Sequence, residues 1–246
     1  MRVHILGSGA YPLRFSGGRS LSIFFPEHHV VLDAGLGLLA LPVDAPQQEL
    51  AIILSHFHHD HILGLASIDN LLQSGQYKFI RILGDERIKH LATFFREPFN
   101  PDYEGAPALP ILMEQLATDV DIRGLHIRRR QVPHASGFSN LFTFQAGAAR
   151  LGISTDTTAS VANADFFTGC DVLLHECNYD NAHAQRATVE GHSYPSIIAA
   201  LANAAGVRRL GLIHTDPRYP LIAAEAQAAF PGAWVMQDDE ILEVQH

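Results

Sequence analysis

Four imidazole or carboxylate side chains, His56, His58, Asp60 and His61, fall directly after the apolar run 51–54 and before a helical pattern that begins near Ile62. An apolar run of this kind fits a strand buried on both faces, so the chain leaves a core strand straight into a cluster of polar groups. Left dry and unpartnered, such groups would cost roughly 2–7 kcal/mol each, and a bound cation removes most of that penalty. In an extended stretch residues two apart point the same way, so His56 and His58 can take one metal together. Asp60 and His61 lie where the chain turns into the helix and can face a second. A solvated, histidine-rich loop is the competing reading. The position after a buried strand favours the metal.

Other strand-like runs recur at 3–6, 21–25, 29–32, 79–83, 141–144, 150–154, 172–175, 210–214 and 234–236. Helical patterns cover 62–72, closed by Gly75, then 196–205, closed by Gly206, and 222–230 before Pro231-Gly232. Strands come first as a meander and then alternate with helices, which predicts an α/β chain whose sheets are covered by helices. The 246 residues fit one domain spanning 1–246, and a 47% hydrophobic share supplies a sizeable core. The proline-rich stretch 97–110 reads as a long loop, either a lid over the site or a surface connection.

The net charge of −9 is poorly suited to gripping long nucleic acids through their phosphates. The one dense basic run, Arg128-Arg129-Arg130, reads as a solvated strand end. Cys170 and Cys177 match neither a disulfide framework nor a zinc ribbon, and both are expected to be reduced and at least partly buried. Strand pattern starts at Val3 without the charged and apolar regions of a signal peptide, and no apolar run reaches spanning length. A cytoplasmic, membrane-free protein is therefore expected. A homodimer is left open.

The spacing His56-x-His58-x-Asp60-His61 resembles the signature of the metallo-β-lactamase superfamily, and the resemblance runs from about Val3 to Glu243. It implies a four-layer αββα sandwich with metals at one edge of the paired sheets. It further implies that His134, Asp156 and His214 complete the ligand set. One metal then takes His56, His58 and His134, the other takes Asp60, His61 and His214, and Asp156 bridges them. Two divalent ions are expected, Zn²⁺ first, although the mixed nitrogen and oxygen set also suits Mn²⁺ or Fe²⁺. Asp33 resembles the family's ligand-orienting aspartate, and a turn-forming aspartate before Gly35 is the other explanation.

The segments 173–177, 187–193 and 212–219 resemble the ribonuclease Z branch of the family. That resemblance implies His192 as general acid and Arg218 as a phosphate-holding group, against a helix-start residue and a surface arginine. Gly7-Ser8-Gly9 resembles the family's opening glycine motif, and Arg19-Ser-Leu-Ser22 a weaker copy of its next segment. The branch's long tRNA-clamping arm has no room between His134 and Asp156. The expected function is therefore hydrolysis of a small, cyclic or short nucleotide-type phosphodiester by a hydroxide that two metals activate and Asp60 orients. A tRNA 3′-processing endonuclease, a lactone or thioester hydrolase on the same metals, and a non-catalytic protein with a structural metal are the alternatives. The retained ligand set and His192 argue against the last. Redox diiron use is disfavoured, because the related flavoproteins carry Glu where His58 stands.

Overall fold

The computed structural model describes residues 1–10, 18–42, 46–91, 110–135 and 137–246. Among these, two mixed sheets of seven strands face one another. The first contains β1 (Arg2–Gly7), β2 (Ser22–Phe25), β3 (Val30–Leu32), β4 (Gln47–Ile53), β5 (Tyr77–Gly84), β6 (Ile111–Gln115) and β14 (Ile241–Glu243). Its spatial order is β14-β1-β2-β3-β4-β5-β6. The second contains β7 (Asp119–Ile122), β8 (Leu125–His134), β9 (Gly137–Ala146), β10 (Ala149–Ser154), β11 (Val172–Glu176), β12 (Arg209–Ile213) and β13 (Trp234–Val235). Its order is β13-β12-β11-β10-β9-β8-β7.

Strand alternation builds three apolar layers from these sheets. Ala51 and Ile53 of β4 point into the space between the sheets, as do Val172 and Leu174 of β11. There they join Val3, Ile5, Phe142 and Ile153, and the Phe25 and Phe144 rings stack 4.5 Å apart. Leu50 and Ile52, on the other face of β4, pack under Leu65 and Ile68. Leu173, Leu210 and Leu212 are covered by α5 (Pro195–Ala205) and α6 (Ile222–Ala229). Both faces are therefore buried over Leu50–Ile53 of β4 and Val172–Leu174 of β11, and this is why those stretches are continuously apolar. The α5 helix starts with Pro195 in its first turn and stops at Gly206 in the left-handed conformation, as its sequence predicts.

The helix expected over 62–72 is not continuous. It divides into α1 (His59–Ile62), a 3₁₀ turn over Leu63–Ser67, and α2 (Ile68–Gln73). The cause is tertiary. The His61 carbonyl accepts from the Ala34 amide at 2.8 Å, and the Gly64 amide donates to the Ala34 carbonyl at 2.8 Å, which takes the backbone out of the helical ladder. A Cβ at Gly64 would lie 2.3 Å from the Gly35 carbonyl oxygen, so only glycine permits this approach. Two further short helices, α3 (Ala164–Phe167) and α4 (Ala184–Glu190), complete the α-helices among the described residues.

Arg128-Arg129-Arg130 lie in the middle of β8 rather than at a strand end. Arg130 forks onto Asp165 at 2.8 and 2.7 Å, and Arg129 bonds Asn140 Oδ1 at 2.9 Å. Arg128 lies 3.9 Å from Asp119. Their charges are thus met by neighbouring groups. Cys170 and Cys177 are free thiols and buried. The stretch 97–109 lies outside the described residues. No helix among the described residues is long and apolar enough to cross a membrane.

Parallel pairing sets where the functional loops emerge. Strands β3 to β6 are mutually parallel, as are β10 to β13, so each set ends on one edge of its sheet. Strand β8 pairs antiparallel with β9, which pairs antiparallel with β10, so β8 ends on the same edge as β10. Loops at such carboxyl ends are where α/β sheets place ligands.

Candidate metal centre

Each sequence-predicted donor leaves one of these strand ends. His56, His58, Asp60 and His61 follow β4, with the last two inside α1. His134 is the final residue of β8, Asp156 follows β10, and His214 follows β12. The edges of the two sheets meet here, and all of these side chains except His58 are buried.

Asp156 lies at the middle of the cluster. Its Oδ2 is 3.7 Å from His56 Nε2 and 3.6 Å from His134 Nε2. Its Oδ1 is 3.3 Å from His61 Nε2 and 3.4 Å from His214 Nε2. Asp60 Oδ2 is 3.2 Å from His214 Nε2 and 3.7 Å from His61 Nε2, while His58 Nδ1 is 3.1 Å from His134 Nε2. Two sets of donor atoms result, each with its members within 4.8 Å of one another: His56, His58, His134, Asp156, and Asp60, His61, Asp156, His214. Asp156 belongs to both.

The chemistry of this set fits a divalent cation. His56 Nε2, His61 Nε2 and Asp156 Oδ1 are buried without a hydrogen-bond partner, although they converge within a few ångströms of one another. Buried polar atoms are rarely left in this state, and lone pairs facing a common point become favourable around a positive ion. Nitrogen and carboxylate donors of this type suit Zn²⁺, Mn²⁺ or Fe²⁺.

The far ring nitrogens are held in place. His61 Nδ1 donates to Asp33 Oδ2 at 2.7 Å, and Asp33 also accepts the Ser55 amide at 2.7 Å and the Ser55 hydroxyl at 2.8 Å. His134 Nδ1 donates to the Gly191 carbonyl at 2.9 Å, and His56 Nδ1 lies 3.0 Å from Ser55 Oγ. Protonation on Nδ1 leaves Nε2 as the lone-pair atom, the form a ligand needs. The backbone is strained to reach this arrangement: Asp33, Ala135 and His214 have φ of 60°, 46° and 52°. The His214 amide is pinned by the Ser8 carbonyl at 2.6 Å, which gives the opening Gly7-Ser8-Gly9 turn a structural task at the site. Gly191, with φ 76°, approaches so closely that a Cβ there would lie 2.4 Å from the Ala135 nitrogen.

Electrostatics agree with the geometry. Burial pushes His56 well below the usual imidazole range and His134 down to about 4, and it lowers His58, so these rings are neutral. Burial also opposes the charge on Asp60 and Asp156. For Asp60, His61 and His214 overcome it and hold the carboxyl at about 2; for Asp156, His214 and His61 hold it well below the usual carboxylate range. Burial lowers His61, but Asp156, Asp33 and Asp60 together raise it well above its ordinary value. Those carboxylates make a strongly negative pocket, and a cation bound there would displace the His61 proton.

His192 sits beside the cluster, between α4 and α5. Its ring is 5.1 Å from that of His134 and 5.7 Å from that of His214. Its Nδ1 lies 3.4 Å from Glu176 Oε1, close enough for charge attraction but poorly aligned for a hydrogen bond. Burial lowers the His192 pKa, but buried Glu176 overcomes this and raises it to about 9. The neighbouring Ser193 hydroxyl donates to the Thr157 carbonyl at 2.7 Å and accepts the Ala159 amide at 2.8 Å, fixing the turn that carries His192. Arg218 is differently disposed. Its guanidinium forks onto buried Asp216, with Nε 3.0 and 2.8 Å from the two carboxylate oxygens.

Three contributors escaped the sequence reading: Glu176, the Gly191 carbonyl, and Ser139, whose Oγ lies 3.5 Å from His56 Nδ1. Glu176 and Gly191 lie inside the segments 173–177 and 187–193 that carry the ribonuclease Z resemblance, whereas Ser139 has no such signal.

Known proteins share this frame. Residues 28–215 match the Beta-lactamase superfamily domain. Ribonuclease Z of Synechococcus sp. (strain WH7803) is 36% identical over 104 residues, covering 37% of this chain and 32% of that protein. The chain's match thus spans about a third of that relative's length. Ribonuclease Z of Kineococcus radiotolerans is 27% identical over 275 residues, covering 92% of this chain and 87% of that protein. Among solved structures, the metallo-β-lactamase fold protein YhfI from Bacillus subtilis has a TM-score of 0.79 at 19% identity, covering 98% of both chains. The short form of human tRNase Z has a TM-score of 0.74 at 20% identity, covering 100% of both. At these identities the two structures are alike in fold. The domain match takes in well over half of the sequence, and the chain belongs to the metallo-β-lactamase superfamily.

Proposed function

We propose that this chain is a metal-dependent hydrolase of phosphodiester bonds, acting on small, cyclic or short nucleotide-type substrates. The observation that carries the reading is Asp156, shared between two donor sets, with the His192–Glu176 pair alongside. His56, His58 and His134 would hold one divalent ion and Asp60, His61 and His214 the other, with Asp156 between them. Bound there, the ions would acidify a water and neutralise charge on the phosphoryl group. Asp60, ionised and turned toward His214, would orient the attacking water. His192, protonated through Glu176, would deliver a proton to the leaving oxygen. A group raised to about 9 is largely protonated at neutral pH, as a general acid must be.

Substrate size is argued from the surface. Residues 137–154 are occupied by β9 and β10 and their turn, with no inserted arm, and the net charge is −9. With no arm inserted over 137–154 and an excess of negative charge, the described residues are poorly suited to securing a long nucleic acid through its phosphates. The names of the ribonuclease Z relatives favour a second reading, cleavage of precursor tRNA. One preparation assayed in parallel on a bis-nitrophenyl phosphodiester, a cyclic nucleotide, a dinucleotide, a lactone and precursor tRNA separates these. Small diesters should be cleaved with kcat/KM comparable to or above that for precursor tRNA. Efficient, site-specific processing of precursor tRNA at physiological salt would overturn the size argument. Lactone turnover without diester turnover would overturn the reaction class.

A further inference from the structure

We propose that Arg87 is a positioning residue that acts on one of the two donor sets, that of His56, His58 and His134. The inference rests on the metal-centre reading above. Arg87 follows β5, the strand beside β4, and its guanidinium is fixed from several sides. Its amide donates to Asp85 Oδ1 at 2.8 Å, its Nε lies 2.9 and 3.1 Å from the two Asp85 oxygens, and its Nη2 lies 2.6 Å from Oδ2. Asp85 is buried while the Arg87 side chain stays about one-third exposed, so the fork is anchored on a carboxylate that water reaches poorly.

The held guanidinium then reaches across the two sheets. Its carbon lies 5.1 Å from the centre of the Phe57 ring and 4.1 Å from that of Phe138, and Nη2 donates to the Phe138 carbonyl at 3.3 Å. Phe57 stands between His56 and His58 in the loop after β4. Phe138 stands at the start of β9, across the turn from His134. The Phe57 ring is seated against Gly84, where a Cβ would lie 2.9 Å from its Cζ. The next residues of β9 continue the join: Ser139 Oγ lies 3.5 Å from His56 Nδ1, and Asn140 Nδ2 donates to the Ser55 carbonyl at 2.7 Å. Arg87 therefore closes the outer end of a cross-sheet seam that brings the His56–His58 loop to His134.

The other set is tied differently. His61 rests on Asp33 and the His214 amide on the Ser8 carbonyl, and this set meets the seam at Ser55, whose amide and hydroxyl Asp33 accepts, well away from the Arg87 end. Loosening Arg87 should therefore affect the two sets unequally. A cation–π clasp with a buried fork is specific to arginine, because lysine offers neither the plane nor the paired donors.

The test uses the full chain, stripped of metal and titrated with Zn²⁺ against a chelating indicator, as wild type, Arg87→Met and Arg87→Lys. One of two Zn²⁺ equivalents should weaken roughly 10–100-fold in both variants, the usual scale for losing an orienting contact, while the other stays within about twofold. In a His134→Ala background, Arg87→Met should add nothing to the binding of the remaining ion. In the metal-free protein, amide exchange should quicken in Arg87→Met across 55–58 and 137–140 and stay unchanged around 60–61 and 214. Equal weakening of both equivalents with a lowered melting temperature would make Arg87 a general fold contact and overturn the proposal. Unchanged affinity for both ions would also overturn it, as would full rescue by lysine. A wild-type chain that binds fewer than two ions would instead defeat the two-metal reading, and amide exchange would then decide the clasp by itself.

Discussion

Replacing Asp33 by Asn should disable the metal position built from Asp60, His61, Asp156 and His214 while leaving the fold in place. Asn matches Asp in size and tolerates the left-handed backbone at this position, where φ is 60°. What changes is the pattern of donors and acceptors. Asp33 Oδ1 accepts the Ser55 amide at 2.7 Å, and Oδ2 accepts both the Ser55 hydroxyl at 2.8 Å and His61 Nδ1 at 2.7 Å. An Asn side chain can keep its carbonyl on the Ser55 amide only by turning its NH₂ toward His61. His61 must then move its proton to Nε2, the atom facing Asp156 and Asp60, and loses the lone pair a cation needs. The opposite rotamer leaves the Ser55 amide buried without an acceptor. Either way one hydrogen bond to a charged partner is lost, worth about 1.5–3 kcal/mol, which corresponds to about 10- to 100-fold in affinity. Competition titration of metal-stripped protein should show one Zn²⁺ equivalent weakened by this factor and the other retained. Two unweakened equivalents in Asp33→Asn would refute the tautomer argument.

Further outcomes follow from the same geometry. His192→Ala should cost about 10²–10⁴-fold on a nucleotide or alkyl diester, and much less on a bis-nitrophenyl diester whose leaving group needs no proton. Metal content should be unchanged, and equal losses on both substrates would assign His192 to substrate binding. Glu176→Gln should lower the His192 pKa from about 9 toward its ordinary 6.5, moving the alkaline limb of kcat down by about 1–3 pH units. Because the folded-state pKa of His192 is the raised one, its contribution to stability is fully present below pH 6.5 for as long as Glu176, raised by burial, stays ionised, and it is lost as pH rises through about 9. The melting difference between wild type and Glu176→Gln should accordingly be larger at pH 6 than at pH 10. Gly64→Ala forces a methyl to 2.3 Å from the Gly35 carbonyl oxygen and 2.9 Å from that of Ala34, both backbone atoms. It should destabilise by about 1–3 kcal/mol or more despite alanine's better helix propensity, and an unchanged urea midpoint would contradict the close-approach argument.

The parts of this molecule that were legible in its sequence are those where one local cause dominates. Burial on both faces made 51–54 and 172–174 continuously apolar, and the strands were visible there. The dense donor motif showed where a cation could sit, because few other environments accept that many polar groups. Edge strands were harder to see. In β14 only Leu242 is buried, and in β6 no residue is fully buried, so neither carries a clear alternation. The break between α1 and α2 was invisible because its cause, the Ala34 backbone, comes from a distant segment. Glu176 and Ser139 escaped for a related reason. A single carboxylate or hydroxyl at a strand end has no periodicity, and its meaning appears only when the other sheet brings its partner to it.

In the proposed function, two cations held by His56, His58, Asp60, His61, His134, Asp156 and His214 are needed for phosphodiester hydrolysis. The most direct measurement is metal content per chain alongside bis-nitrophenyl phosphodiester turnover, before chelation, after chelation and after stepwise return of Zn²⁺, in wild type and in Asp156→Ala. The wild-type chain should hold about two ions, lose turnover on chelation, and recover it only as the second equivalent is restored. Asp156→Ala should hold fewer ions and stay inactive at every step. Full turnover by the metal-free chain, or by Asp156→Ala, would contradict the two-cation requirement.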